Sequence, residues 1–174
     1  VDWVLHKIGN GDGSLGITFA PGKKADSMFG TPWNRNLHQD LNRLKSIHQV
    51  DALISLVENQ ELKNLHIPQL VSEANARRIA VLRSPIVDGS VPSLEQAKQI
   101  VQFALTLTFA GQRVVLHCKG GLGRAGTLCA CALIHFGYSP EESIDIVRES
   151  RPGAIENSAQ EKFIEEYSAT YSPK

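Results

Sequence analysis

Arg113-Val114-Val115-Leu116-His117-Cys118-Lys119-Gly120-Gly121-Leu122-Gly123-Arg124-Ala125-Gly126-Thr127 is the stretch that decides the fold. Its opening residues, Arg113 to Leu116, form a short apolar, β-branched strand, and Leu128 to Ile134 continue the segment as an apolar helix. Between them Gly120, Gly121 and Gly123 lie between one cysteine and one arginine. Glycine lets successive backbone N–H groups turn to the same side. A nest of that kind at a helix N-terminus holds an anion through aligned amides and the positive end of the helix dipole. Lys119, Gly120, Gly121, Leu122, Gly123 and Arg124 are therefore the expected phosphate-binding bowl. Cys118 is its candidate nucleophile, because the field that holds an anion also suits a thiolate. Arg124 brings a planar fork that grips two phosphoryl oxygens, which a lysine lacks.

Outward from this segment, strands and helices alternate. Val1 to Phe19 reads as extended, with a turn over Gly9 to Gly13, and a Gly-, Pro- and Lys-rich loop covers Pro21 to Trp33, expected from charge and position, with Lys23, Lys24 and Arg35, to line a wall of the groove over the bowl. A helix is expected near Leu37 to Ile47, a buried strand over Asp51 to Val57, a short helix over Gln60 to Leu65 and a strand over Ile79 to Leu82. Ser93 caps a longer helix, with Gln96 in the capping-box position, and that helix ends near Gly111. Ser139-Pro140-Glu141-Glu142 opens another, and Glu161 to Tyr167 forms the last. Alternation of this kind implies an α/β fold, a mostly parallel central sheet flanked by helices on both faces, with the bowl at a strand's carboxyl end.

The string from His117 to Thr127 resembles the Cys-x-x-x-x-x-Arg signature of protein tyrosine and dual-specificity phosphatases. Pro85-Ile86-Val87-Asp88-Gly89, and Arg151-Pro152-Gly153-Ala154-Ile155 with Gln160, are similar to stretches of the cyclin-dependent-kinase-associated and mitotic-exit phosphatases. So, more weakly, are Leu15 to Gly22 and Glu61-Leu62 through Ile67-Pro68. The resemblance implies hydrolysis of phosphate monoesters through a phosphocysteine, with no metal and no cofactor. Asp88, 30 residues before Cys118, would be the general acid, although Asp-Gly is also a common turn pair. Gln160 would position the water that releases phosphate, or is a solvated helix residue. His117 would order the loop. Most relatives carry Ser or Thr after the arginine, where a hydroxyl assists the departing thiolate; this chain has Ala125, with Thr127 two residues on.

The implied substrate is a phosphoprotein carrying phosphotyrosine, or phosphoserine or phosphothreonine if the site is shallow, and a protein kinase is a candidate partner. A phosphoinositide or RNA 5′-phosphatase, or a weakly catalytic phosphoprotein-binding module, are the alternatives. Composition is in keeping with this. At 174 residues and 42% hydrophobic content, one phosphatase domain over 1–174 is expected. Lys and Arg number 18 and so do Asp and Glu, which gives no net basic field for nucleic acid or an anionic membrane. Three cysteines make no disulfide framework, and a reactive thiol needs a reducing compartment, so the cytoplasm is the expected location. Cys129 and Cys131 are expected to pack in the helix, and the aromatic residues Trp3 and Trp33 in the core or a lid.

Overall fold

The computed structural model describes residues 1–8, 11–26 and 30–171. Its elements run β1 (Asp2–Ile8), β2 (Gly13–Thr18), β3 (Lys24–Ala25), β4 (Trp33–Asn34), α1 (Leu37–Ser46), β5 (Ala52–Ser55), α2 (Asn59–Asn64), α3 (Leu70–Ala76), β6 (Ala80–Arg83), α4 (Leu94–Phe109), β7 (Arg113–His117), α5 (Gly123–Ile134), α6 (Pro140–Ser150) and α7 (Ser158–Tyr171). The main sheet has the order β1-β2-β7-β5-β6. β2, β5 and β6 run parallel to β7 or to its neighbour, and β1 alone is antiparallel, closing one edge as the first arm of a hairpin. The sequence expectation of a mostly parallel sheet therefore holds, with the hairpin as its antiparallel margin. The proposed turn at Gly9 and Asn10 lies outside the described residues.

Side-chain alternation along the strands divides the interior in two. Val114 and Leu116 of β7, with Ala52 and Ile54 of β5, face one apolar layer shared with α4, α5, α6 and α7. Val115 and Leu53, between them, face the other, where α1, α2 and α3 pack. Burial on both faces explains why β5 and β7 read as continuous apolar runs.

Local chemistry fixes the helix ends. Ser93 Oγ accepts from Gln96 N at the start of α4. Gln96 departs from the expected capping box: its Nε2 reaches instead to Ser84 Oγ at 3.0 Å and Pro85 O at 3.1 Å, tying α4 to the chain before Asp88. At α6 the box is complete, with Ser139 N donating to Glu142 Oε2 at 2.8 Å. Helix α3 is not marked in the sequence, since its N-terminal Gln69 makes no side-chain cap. Helix α7 begins three residues before the expected Glu161 because Asn157 Oδ1 accepts from Gln160 N at 3.0 Å. Among the described residues no helix is long and apolar enough to cross a membrane.

Candidate active site

Strand β7 ends at His117 between two parallel neighbours, paired with Thr18 of β2 and Ser55 of β5. The chain then turns through Cys118 to Leu122 into α5, at the carboxyl edge of the sheet. Two glycines are required here. Gly121 has φ +69°, and a Cβ on it would lie 2.4 Å from Thr18 O. A Cβ on Gly123 would meet Glu156 Oε2 at 2.3 Å.

The loop's carbonyls are pulled outward by one side chain. Arg151 Nε donates to Gly121 O at 2.9 Å and Nη2 to Gly120 O at 2.8 Å, while Nη1 pairs with Asp2 at 2.5 Å. Helix α5 opens at Leu122 with no side-chain cap, so its first amides are open to an anion. One is occupied: Gly123 N donates to Glu156 Oε2 at 2.9 Å.

Cys118 is 3% exposed at the base of a cavity of about 260 Å³ whose lining includes Lys23, Trp33, Asp88, Lys119, Gly120 and Glu156. A larger groove of about 730 Å³ adjoins it, with Trp33, Asp88 and Lys119 common to both. Arg124 is nearly inaccessible at 2%. Its Nη1 and Nη2 bind both oxygens of Glu61, at 2.7 and 2.9 Å; Nη2 also donates to Asp88 Oδ1 at 2.8 Å and Nη1 to Ile86 O at 2.9 Å. Its Nε is buried and has no hydrogen-bond partner among the described residues. Burial works against the Arg124 charge, but Glu61, Cys118 and Asp88 outweigh it and raise the pKa. Burial likewise opposes the Glu61 charge, and Arg124 together with the Glu58 N–H overcomes it and holds the carboxyl below its ordinary range.

The structure thus brings Cys118, Arg124, Asp88, Lys119 and Gly120 together at one cavity or directly behind it. Gln160 stands apart from the cavity wall. It is fully buried rather than solvated; its Oε1 accepts from Glu156 N at 2.8 Å and its Nε2 has no partner among the described residues. Thr127 Oγ1 donates to Gly123 O at 2.8 Å, one turn back along its own helix. Cys129 and Cys131 are free and buried, and burial pushes both thiols up.

Sequence reasoning gave no role to Glu61, Arg151 or Glu156, and gave Lys23 only a place in the loop expected to line the groove. Lys23 is 6% exposed, with Nζ 3.8 Å from the Trp33 ring centroid, and burial, then Arg151 and Lys119, lower its pKa. Its loop is clamped by Asp40, which accepts from Gly22 N and from Arg35 at 2.8 Å each. Trp33 is consequently a wall of the site, 40% exposed, rather than core packing. The one signal in the sequence was the Glu at the third position of α2, whose carboxylate also accepts from Glu58 N at 2.9 Å.

His117 is fully buried. Its Nδ1 lies 3.2 Å from Cys118 O, a carbonyl that only accepts, so the Nδ1–H tautomer is assigned and Nε2 is left without a partner among the described residues. Burial drops its pKa to about 4. Between that value and the unfolded value of about 6.5 the unfolded chain binds more protons, so stability falls as pH falls through this window. We expect about 2 kcal/mol less stability at pH 5 than at pH 7 from this group, read as a shift in urea midpoint that a His117→Gln variant removes.

The family model described as "Polymorphic toxin system, DSP-PTPase phosphatase" matches residues 28–138. Human "Cyclin-dependent kinase inhibitor 3" is 28% identical over 170 residues, 96% of this chain and 77% of that protein. A crystal structure of kinase associated phosphatase, with its catalytic-site cysteine replaced by serine, superposes with TM-score 0.83 at 27% identity and covers 92% of this chain and 89% of that one. Tk-PTP in its active form gives TM-score 0.76, 27% identity and coverage of 98% and 97%. With more than half of its length matched to the family model and with this cavity built around Cys118 and Arg124, the chain belongs to the dual-specificity and protein tyrosine phosphatase family and is an enzyme of that class.

Proposed function

We propose that this phosphatase hydrolyses phosphate monoesters on phosphoproteins through a phosphocysteine on Cys118. The observation that carries the reading is the single cavity with Cys118 at its base, Asp88 on its wall and, behind it, an Arg124 whose Nε–H is unengaged. The Cys118 thiolate attacks phosphorus in line, the S–P bond forms, the ester P–O bond breaks and Asp88 gives its proton to the departing oxygen. An entering phosphate takes the Arg124 Nε–H and competes with Asp88 for Nη2. That exchange frees the Asp88 carboxyl from Arg124 to turn toward the departing oxygen. Arg124 and the loop amides stay in place as charge moves onto the equatorial oxygens.

Water then attacks the phosphocysteine, giving a proton to the Asp88 carboxylate as the new P–O bond forms, the S–P bond breaks and Cys118 leaves as the thiolate. Ala125 offers no hydroxyl to it, and Thr127 has committed its own to Gly123 O, so the amides and helix dipole carry that departure. We expect this second step to be the slower one. Gln160, adjoining the loop at Gly123, is the candidate for orienting the water.

A phosphoprotein substrate is supported by the relatives, which include human "Protein tyrosine phosphatase type IVA 3", 39% identical over 95 residues, about half of each chain. The open groove beside the cavity has room for residues flanking a phosphorylated side chain. A protein kinase as partner is supported by the likeness to human "Cyclin-dependent kinase inhibitor 3". The loop carries one lysine, Lys119, and glycines or Leu122 from 120 to 123, which gives little for the several phosphates of an inositol headgroup.

The test is rapid-mixing kinetics with EDTA present. Wild type should release aryl product in a burst followed by a slower steady state. Asp88→Asn should lose about 10²–10⁴ in the burst rate on a phosphotyrosine peptide, with a much smaller loss on para-nitrophenyl phosphate, whose leaving group needs little protonation. An Asp88→Asn burst equal to wild type on the peptide would remove Asp88 from the mechanism.

A further inference from the structure

The tip of the loop that carries Asp88 is lightly held. Val87 is 59% exposed, the Asp88 side chain 55% exposed, and Gly89 has φ +73° with open space around it. Behind the tip, Ile86 is secured by its N–H to Leu56 O and by its carbonyl to Arg124. The tip itself closes on itself through Ser90 N to Val87 O. Among the described residues its hydrogen bonds to the rest of the molecule are Asp88 to Arg124 and one other: Asn157 Nδ2 donates to Gly89 O at 3.1 Å.

The first of these is the contact an entering phosphate competes away. When it goes, Asn157 is what remains between the tip and the body of the protein. Asn157 is itself immobilised. Its Oδ1 accepts from Gln160 N at 3.0 Å and its carbonyl from the same N–H at 3.1 Å, so it caps α7 while its amide nitrogen points away to the loop. The preceding Glu156 accepts from Gly123 N. Consecutive side chains at the head of α7 thus touch the phosphate loop and the acid loop, fixing the distance between them.

We propose that Asn157 is a positioning residue for the general acid: it holds the Asp88 loop over the cavity once phosphate has displaced Asp88 from Arg124. The inference rests on Asp88 acting as the acid, and it assigns Asn157 no contact with substrate.

Asn157→Ser isolates the effect, because serine caps a helix about as well as asparagine but is too short to reach Gly89 O. On a phosphotyrosine peptide the burst rate should fall about three- to tenfold, the range for one lost hydrogen bond in a positioned transition state, with the peptide concentration that half-saturates the burst unchanged. On para-nitrophenyl phosphate it should change less than twofold. In the Asp88→Asn background the same substitution should add nothing, since a residue acting through the acid has no effect once the acid is gone. Asn157→Asp, which keeps the cap and removes the donor, serves if the serine variant is poorly folded. Equal losses on both substrates, or an additive loss in the double variant, would reduce Asn157 to a helix cap; so would a wild-type rate in Asn157→Ser beside an impaired Asp88→Asn. A neutral Asp88→Asn would instead overturn the acid assignment and this inference with it.

Discussion

Cys118→Ser should lower turnover of para-nitrophenyl phosphate by at least about ten-thousand-fold, because a serine hydroxyl ionises far less readily than a thiol and no base is hydrogen-bonded to this side chain among the described residues. His117, the adjacent candidate, has its Nδ1 on Cys118 O, and its Nε2 lies buried without a partner among those residues. The bowl is made of main chain, the Arg151 braces and Arg124, none of which the substitution alters. The variant should therefore keep its thermal midpoint and still bind tungstate, measured by calorimetry. Residual turnover above about 1% of wild type, with the same response to vanadate, would mean that phosphate is transferred to water without Cys118. Loss of tungstate binding along with turnover would mean that the sulfur shapes the bowl as well as reacting.

Glu61→Ala should be the most destabilising change at the site. The Arg124 guanidinium side chain is 1% exposed and receives both Glu61 oxygens, so removing the carboxylate leaves a buried cation with Asp88 and two main-chain carbonyls to serve it. Breaking one side of a buried pair costs about 3–5 kcal/mol, and because the Glu61 side chain keeps 16% exposure the low end is expected, about 3 kcal/mol. Urea unfolding at pH 7 measures it. Activity should fall as well, since Glu61 fixes the plane of the guanidinium and hence the direction of the Nε–H that phosphate is to meet. A midpoint within about 0.5 kcal/mol of wild type would show that solvent or Asp88 takes over the Glu61 side of Arg124.

Glu61 also shows where sequence reading stops. The strand, the glycine bowl and the apolar helix were legible because each is written in contiguous residues with its own period or turn chemistry. So was the sheet's parallel character, which follows from alternation of elements. Arg124 and Glu61 lie 63 positions apart, and nothing local to α2 distinguishes a carboxylate that turns into the core from one that completes a capping box. Arg151 was part of a recognised stretch, but its task of holding two loop carbonyls depends on α6 ending beside the bowl. Lys23 and Trp33 belong to a loop whose composition suggested a wall of the groove, yet the clamp that sets it there, Asp40, reads as an ordinary acidic residue of the first turn of α1. Gln160 was read with two alternatives, on the water or in solvent; it is buried against the phosphate loop, with one amide atom still unpartnered.

Helix α5 has no solvent face: every residue from Gly123 to Ile134 is buried. An element enclosed in this way opens only when much of the fold opens with it, so the bowl shares the slowest breathing of the molecule. Whatever displacement a catalytic cycle demands must then come from the acid loop and the ribbon bearing Trp33, which border the cavity from outside. The chain divides its labour between an anvil that stays still and rims that yield, and variation in tempo or substrate choice among proteins built this way has room to accumulate only at the rims.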